Sequence, residues 1–166
     1  MRNTAAIILM IFSSGLIQAQ DIDTFFLKFG VSKNDTIIYK RIIEFNKDSK
    51  IYHVKDYFEN GQIQMDAFYS SFDKNIKEGS QCNYRSNTKE GLFKNWYENG
   101  QLEFSATYKN GLINGLSEFW YKNGVKESEE NWLQGQLNGK VKYWTEQGEL
   151  QFDLSFDQGL NQNPKD

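Results

Sequence analysis

The chain has 166 residues, enough for one domain, and a formal net charge of −3 at pH 7. Aromatic residues make up 16% of the sequence and proline occurs once, a composition with apolar surface to bury that argues against a disordered chain. Charges of both signs are interspersed, without the concentrated basic patches of nucleic-acid-binding proteins, so we expect no nucleic-acid partner.

The N-terminus has the features of a secretory signal peptide. Arg2 supplies a positive charge, residues 5–17 form a mainly apolar run, and Ala19 is the small residue that a signal peptidase requires. The apolar run is shorter than the ~20 residues of a membrane span, which favours cleavage over a retained anchor. We therefore predict a signal peptide at 1–19, export to the periplasm or outside the cell, and no integral membrane segment after cleavage. Without Arg2 the net charge becomes −4.

Three segments after the signal peptide are predicted to be β-strands. Residues 22–29 are apolar, residues 36–45 are rich in β-branched and aromatic side chains, and residues 51–58 form the return strand of a hairpin. Clusters of turn-forming residues separate them. We interpret residues 20–51 as an N-terminal β segment that caps the repeats that follow.

Residues 91–159 repeat with a period of 24 residues, which is typical of a repeat architecture. Glycine opens each copy, tryptophan follows five residues later, and two further glycines stand nine and twenty residues into the copy. A divergent earlier copy extends the array to residues 52–160, and a polar tail at 161–166 follows it. The aromatic residues that share the tryptophan position are Tyr57, Trp96, Trp120 and Trp144.

Residues 70–90 interrupt the array. Gly79 precedes Gly91 by 12 residues, half a period, and Tyr84 stands at the tryptophan position. Two interpretations stay open, a half-repeat with a single strand and a polar loop. The only cysteine, Cys82, lies in this segment, so the chain has no internal disulfide, and a half-buried strand residue is the simplest role for it.

Asn-Gly pairs between alternating apolar residues predict that each copy is a β-hairpin. A type I′ turn needs positive φ at both central residues, which asparagine tolerates and glycine adopts without steric cost. Asn-Gly stands at 60–61, 99–100, 110–111, 114–115, 123–124 and 138–139, and Gln-Gly at 134–135, 147–148 and 158–159. The predicted fold is all-β, an elongated antiparallel meander of tandem β-hairpins with N-terminal capping strands.

The second strand of a copy alternates apolar and polar residues, as a half-buried strand does. The residues expected on one face are Leu102, Phe104, Ala106 and Tyr108 in one copy and Leu150, Phe152, Leu154 and Phe156 in another. In the middle copy Lys126, Ser128 and Glu130 take these places, and only Trp132 stays apolar. We therefore expect this face to be accessible to water in the middle of the array. Residues 115–135 are the first candidate for an exposed, ligand-facing surface.

Three segments share the pattern G-x4-W-[YT]-x-[NQ]-G-x-[LK], namely GLFKNWYENGQL, GLSEFWYKNGVK and GKVKYWTEQGEL, and YFENGQI is a divergent example. This pattern resembles the MORN-variant repeat family over residues 52–159. The resemblance implies an exported bacterial protein of a group often labelled antitoxin-like. It also implies repeats that act as protein–protein or membrane-associated scaffolds.

No catalytic or metal-binding set stands out in the sequence. His53 is the only histidine, Cys82 has no second cysteine, and the glycines follow hairpin spacing, not the spacing of phosphate-binding loops. The carboxylates interpreted as solvated charges on the sheet are Glu98, Glu118, Glu127 and Glu146. A carboxylate pair at a glycosidase separation stays open, because sequence does not give distances. We predict that the protein is not an enzyme and binds no cofactor or metal.

The periodic aromatic residues are the best functional lead. If exposed, rings spaced by two strands, about 9 to 10 Å, would bind a glycan by stacking or the apolar surface of a partner. The interpretation that we favour at this point is that the rings form the core. The candidate binding residues are Tyr57, Trp96, Trp120, Trp144 and Trp132.

Functions of two classes are consistent with the sequence. The first is a non-enzymatic scaffold that binds another protein in the bacterial envelope or outside the cell. The second is a carbohydrate or cell-wall binding module that uses the periodic tryptophans, and a glycan-dependent change in tryptophan fluorescence would distinguish it. An antitoxin or immunity role follows from the resemblance alone.

Overall fold

Eleven antiparallel strands form one sheet in the computed structural model, which describes residues 21–32, 35–71 and 88–162. The strands lie side by side in chain order, so the sheet is a meander. The strands are β1 (Asp21–Ser32), β2 (Asp35–Asn46), β3 (Ile51–Tyr57), β4 (Ile63–Tyr69), β5 (Gly91–Trp96), β6 (Leu102–Lys109), β7 (Leu112–Trp120), β8 (Lys126–Leu133), β9 (Gln136–Trp144), β10 (Leu150–Asp157) and β11 (Leu160–Asn161). The predicted all-β meander of tandem hairpins is confirmed, and β1 and β2 extend the same sheet.

Several predictions concern residues outside the described ranges. The signal peptide at 1–19 lies there, and so do Gly79, Cys82 and Tyr84 of the interrupting segment. Strands β4 and β5 pair directly with each other on either side of that segment. Its interpretation as a half-repeat or a loop stays a prediction.

The buried core lies on one face of the sheet, which we call the core face. Strand pairing aligns its residues in two rows that cross the strands. The first row is Ile43, Val54, Ala67, Phe93, Ala106, Ser117, Glu130, Val141 and Leu154. The second row is Arg41, Asp56, Met65, Asn95, Phe104, Phe119, Ser128, Tyr143 and Phe152.

The first row consists mainly of small and aliphatic residues, and the second row supplies most of the rings of the core face, namely Phe104, Phe119, Tyr143 and Phe152. Val54, Ala67 and Ser117 are fully buried. The rings of Phe104 and Phe119 lie 4.4 Å apart between centroids on neighbouring strands. Cross-strand contacts of this kind supply most of the stability of a sheet face. Burial decreases toward the C-terminal end of the core face, where Phe152 is 55% exposed.

Each hairpin of the array contains the same β-bulge. One extra residue interrupts the pairing of the second strand with the first, at Gln64, Glu103, Glu127 and Gln151. An extra residue reverses the alternation of side chains beyond it. Leu102 therefore lies on the face opposite Phe104, and Leu150 opposite Phe152. The prediction that each of these pairs shares a face is wrong, because regular alternation ignores the bulge.

The turns are of two kinds, and the type I′ prediction is correct for one of them. Both central residues have positive φ at 110–111, 134–135 and 158–159. At Gly100 only the glycine has positive φ, 85°, and its N–H donates to the Tyr97 carbonyl at 2.9 Å. This geometry is a type I turn followed by a left-handed glycine, and it recurs at Gly61, Gly124 and Gly148. The predicted turns at 114–115 and 138–139 are wrong, because these residues lie inside β7 and β9.

Candidate functional site

A strip of mainly apolar side chains crosses the sheet on the face opposite the core. Side chains alternate along β3, β5, β7 and β9, and this alternation points Tyr57 and the three periodic tryptophans away from the core face. Across its hairpin, each ring pairs with a residue that the bulge brings to the same face. We call these residues the aromatic strip: Tyr57, Ile63, Trp96, Leu102, Trp120, Lys126, Trp144 and Leu150.

The rings of the aromatic strip are half-buried. The aromatic residues of the buried core are instead Tyr69, Phe93 and Phe104. The interpretation that the periodic rings form the core is therefore wrong for this column. A role of these rings in binding stays a prediction.

The spacing of the rings follows from the sheet. Tyr57, Trp96, Trp120 and Trp144 end alternate strands, so neighbouring rings are separated by two inter-strand steps, about 9.4 to 9.8 Å. The full row from the first ring to the last crosses six steps, about 28 to 29 Å. The strip is therefore long enough to bind an extended segment at several places.

Hydrogen bonds between successive hairpins hold the tryptophans in place. The Tyr97 hydroxyl donates to the Trp120 carbonyl at 2.9 Å, and the Tyr121 hydroxyl donates to the Trp144 carbonyl at 2.9 Å. The Asn99 side-chain amide also donates a hydrogen bond, at 2.8 Å, to the Lys122 carbonyl in the next turn. These bonds recur with the repeat and fix the spacing of the column.

A row of charged side chains lies beside the strip on the same face. Strand pairing aligns Lys55, Asp66, Lys94, Ser105, Glu118, Glu129, Lys142 and Asp153. Three lysines and four carboxylates of this row, with Lys126 of the strip, give four charges of each sign. The surface beside the strip therefore carries charges of both signs, and Lys40 Nζ lies 5.7 Å from the centre of the Tyr57 ring at the end of the strip.

Lys126 neutralises a pair of like charges in the middle of the face. Its Nζ lies 2.6 Å from Glu118 Oε1 and 2.9 Å from Glu129 Oε2, which face each other across β7 and β8. Burial lowers the pKa of Lys126, but the hydrogen bonds and charges of the two carboxylates outweigh it and raise the pKa overall. Nζ also lies 5.8 Å from the centre of the Trp120 ring. The Lys126 ammonium is therefore already engaged by Glu118, Glu129 and the Trp120 ring.

The middle copy is polar on the core face, as the sequence indicates, but it is not exposed. Ser128 is 2% exposed and Glu130 is 8% exposed. The Glu130 carboxylate accepts hydrogen bonds from Tyr143 Oη at 2.7 Å, Trp132 Nε1 at 3.1 Å and Ser117 Oγ at 3.3 Å. The prediction of a ligand-facing surface at 115–135 on this face is therefore wrong, because these neighbours enclose the carboxylate.

Trp132 belongs to this enclosed network. Its indole N–H is shared between Glu130 Oε2 and Ser117 Oγ, the latter at 2.9 Å. The structure brings together four of the five candidate binding residues and leaves Trp132 on the core face. The 24-residue pattern separates Trp132 from the others, because it shares its column with Tyr108 and Phe156 on the second strand and does not stand at the tryptophan position.

The bulge residues form a polar column, with carboxylates at Glu103 and Glu127, that regular alternation does not predict. Glu103 and Glu127 are half-buried, and both Glu98 and Glu146 are exposed. Burial raises the pKa of Glu103, and the neighbouring charge of Glu127 raises it further. The recurrence of Gln64 and Gln151 at the same place in other copies is the sequence signal that identifies the column.

His53 is held between two carboxylates. Its Nε2 lies 2.6 Å from Asp66 Oδ1, its Nδ1 lies 3.5 Å from Glu44 Oε2, and its ring stacks on Phe68 at 4.2 Å. The contacts engage both ring nitrogens, and a structural role accounts for them. In the described ranges no group of three or more His, Cys, Asp or Glu residues is arranged to hold a metal ion. Those ranges also contain no helix with the length and apolarity to cross a membrane.

Comparison with known proteins gives one finding. The family model described as MORN repeat variant matches residues 53–71, 89–110 and 113–134, which fall on three successive hairpins of the array. No curated protein and no solved structure matches the chain. The hairpin of β9 and β10 lies outside the matched segments and has the same bulge and tryptophan. MORN repeats are a non-catalytic repeat type and are commonly scaffolds for protein or membrane interaction.

Proposed function

We propose that the MORN-variant repeats of this chain form a non-enzymatic scaffold that binds another protein along the aromatic strip. The observation that carries the proposal is the strip itself. Four rings alternate with three aliphatic side chains and Lys126 across successive hairpins, on the face that the core does not use. Aromatic residues at the centre of a surface, with charged residues at its rim, are typical of protein-binding sites.

The composition of the strip favours a protein partner over a glycan. A sugar ring stacks on an open aromatic face, whereas these rings are half-buried and have Ile63, Leu102 and Leu150 opposite them in the pairing. Exposed leucines at Leu92 and Leu116 add further apolar surface to the same face. Exposed apolar surface rimmed by charged residues is typical of interaction sites.

Export is part of the proposal. The predicted signal peptide at 1–19 supports a partner in the bacterial envelope or outside the cell. Cell fractionation with a C-terminal tag tests this part, since we expect the processed protein outside the cytoplasm. Full-length protein confined to the cytoplasm would contradict it.

The proposal is tested with a matched pair of variants. Leu150 in the strip is 54% exposed and Leu133 outside it is 51% exposed, so Leu150→Ala and Leu133→Ala remove similar apolar area. We expect envelope extract to yield a partner that wild type and Leu133→Ala capture equally and that Leu150→Ala captures several-fold less. Trp120→Ala should abolish capture. Equal capture by all four proteins, with unchanged circular dichroism, would contradict the proposal.

A further inference from the structure

We infer that the segment bound by the aromatic strip is a proline-rich stretch in the polyproline II conformation, lying across the strands. The inference rests on the proposed function, because it names the occupant of the same surface. Three features of the face support it: the spacing of the rings, the aliphatic side chains beside them and the presence of charges of both signs.

The spacing of the rings matches the polyproline II helix. This helix has three residues per turn and rises about 3.1 Å per residue, so the same side returns every 9.3 Å or so. Neighbouring rings lie about 9.4 to 9.8 Å apart. Over the row from Tyr57 to Trp144, nine residues rise about 28 Å and the sheet spans about 28 to 29 Å. One ligand can therefore meet all four rings in register.

Other regular conformations lose register on the same row. An α-helix returns to one side about every seven residues, which is about 10.5 Å, and is 2 to 3 Å too long after three repeats. A β-strand places side chains on one side about every 6.6 Å, so after the first ring only the third ring lies level with a side chain, and the second and fourth rings do not. The geometry of the sheet thus selects among ligand conformations before any side chain is considered.

The composition of the strip also suits proline. Half-buried rings lie beside aliphatic side chains, as Leu102 lies on the strand between Trp96 and Trp120. Aromatic surfaces bind polyproline II segments, whose preformed backbone loses little entropy on binding. Each ring would contact one turn of the ligand.

The charges beside the strip favour an uncharged ligand. The charged row and Lys126 carry four charges of each sign, and the Lys126 ammonium is bound by Glu118 and Glu129. A strongly charged ligand would meet like and unlike charges at similar distances. A segment of proline and neutral residues avoids this repulsion.

Oligoprolines of six, nine, twelve and fifteen residues test the inference with the full chain. We expect binding, measured by calorimetry and tryptophan fluorescence, to tighten at least threefold with each added turn up to twelve residues. No gain is expected from twelve to fifteen, because the fourth turn meets the last ring. A Gly-Ser peptide of twelve residues should bind at least tenfold more weakly than the twelve-residue oligoproline.

Strip variants locate the binding. Trp144→Ala should move the plateau from twelve residues to nine, and Trp120→Ala should reduce the affinity for twelve prolines to that for six. Leu133→Ala, outside the strip, should change neither. Trp144 lies toward the end of the sheet, so its variant keeps the test usable if Trp120→Ala does not fold.

Three results would overturn the inference: affinity independent of oligoproline length, tighter binding of a 21-residue helical heptad peptide, or fluorescence changes only with a β-linked oligosaccharide. If the strip variants still reduce capture of a partner, these results contradict only the polyproline inference, and the proposed protein-binding function stands. If capture is also independent of the strip, both fail.

Discussion

Glu130 is a buried carboxylate held by neutral donors. Its position lies in the first row of the core face, where the neighbouring copy has Ala106 and the next has Leu154. A buried charge is costly unless hydrogen bonds satisfy it. Tyr143 Oη provides a short one at 2.7 Å, so the stability of the middle copy depends on this hydroxyl.

Tyr143→Phe should reveal that dependence through pH. Burial, the hydrogen bond to Glu130 and the negative charges of Glu130 and Glu127 raise the pKa of Tyr143 to about 12. Since the folded state keeps a proton that the unfolded state releases from about pH 10, wild-type stability should fall as pH rises from 10 to 12. At pH 7 the variant should be about 1 to 2 kcal/mol less stable.

Urea denaturation at several pH values measures the effect. The stabilities of wild type and Tyr143→Phe should converge above pH 10. Tyr108→Phe is the control, because burial alone raises the pKa of Tyr108. A constant difference between wild type and Tyr143→Phe from pH 7 to 12 would contradict the proposed role of the hydroxyl.

Glu103→Gln should stabilise the protein at pH 7. Burial and the charge of Glu127 raise the pKa of Glu103, so its ionised form is disfavoured in the folded state. The gain, below about 1 kcal/mol for this half-buried group, should disappear as pH falls through the folded pKa toward the ordinary glutamate value. Glutamine already occupies the equivalent Gln64 and Gln151. Thermal unfolding at pH 7 and pH 4 tests this, and a gain that persists at pH 4 would exclude an electrostatic cause.

At the scale of the hairpin, the two kinds of turn should respond differently to glycine. Gln134 has φ of 50°, which costs a side chain about 1 kcal/mol or more, whereas Gln147 is not in the positive-φ region. Gln134→Gly should therefore stabilise the protein by about 0.5 kcal/mol. Gln147→Gly should destabilise it by about 0.5 to 1 kcal/mol. Chemical denaturation of the two variants compares them, and equal effects would mean that φ does not decide the outcome.

Sequence alone predicts the hairpins and the column of rings, because Asn-Gly pairs and tryptophans mark them at a fixed period. It does not separate the two turns. At Asn99 the residue is required for its side chain, whose Oδ1 accepts from Gln101 N–H at 3.1 Å, and not for positive φ. The sequence also does not reveal the bulge. An extra residue such as Glu103 fits the 24-residue repeat pattern, although it places the side chain before it, Leu102, on the other face of the sheet.

The same limit explains the error about the core. Alternation places Leu102 with Phe104, and only the bulge reveals that Leu102 joins Trp96 in the strip. The burial of Glu130 depends on donors from three strands, Ser117 on β7, Trp132 on β8 and Tyr143 on β9. Such a network depends on pairing between strands, which a single strand's pattern does not contain.

At the scale of the whole sheet, removal of one full period should leave a folded protein. Deletion of residues 115–138 joins Asn114 to Gly139, which repeats the native Asn138–Gly139 junction. Ala106 would then face Val141 in the first row of the core face, and three rings would remain in line. Deletion of residues 116–138, one residue fewer, moves every later side chain to the other face.

Circular dichroism and urea denaturation compare the two deletions. The 24-residue deletion should unfold cooperatively with a smaller dependence on urea than wild type, because less surface is exposed. The 23-residue deletion should not fold. Similar behaviour of the two proteins would show that the register of the rows does not determine stability.

The order of the strands also determines how the sheet responds to mechanical force. Because the strands follow chain order from β1 to β11, the first and last described strands lie at opposite edges. Tension applied to the two ends would peel one strand after another from an edge, breaking a few hydrogen bonds at a time. Each 24-residue hairpin would release about 80 Å of extended chain. The sheet would therefore lengthen in steps under load and refold hairpin by hairpin on release, acting as an extensible tether between two attachment points.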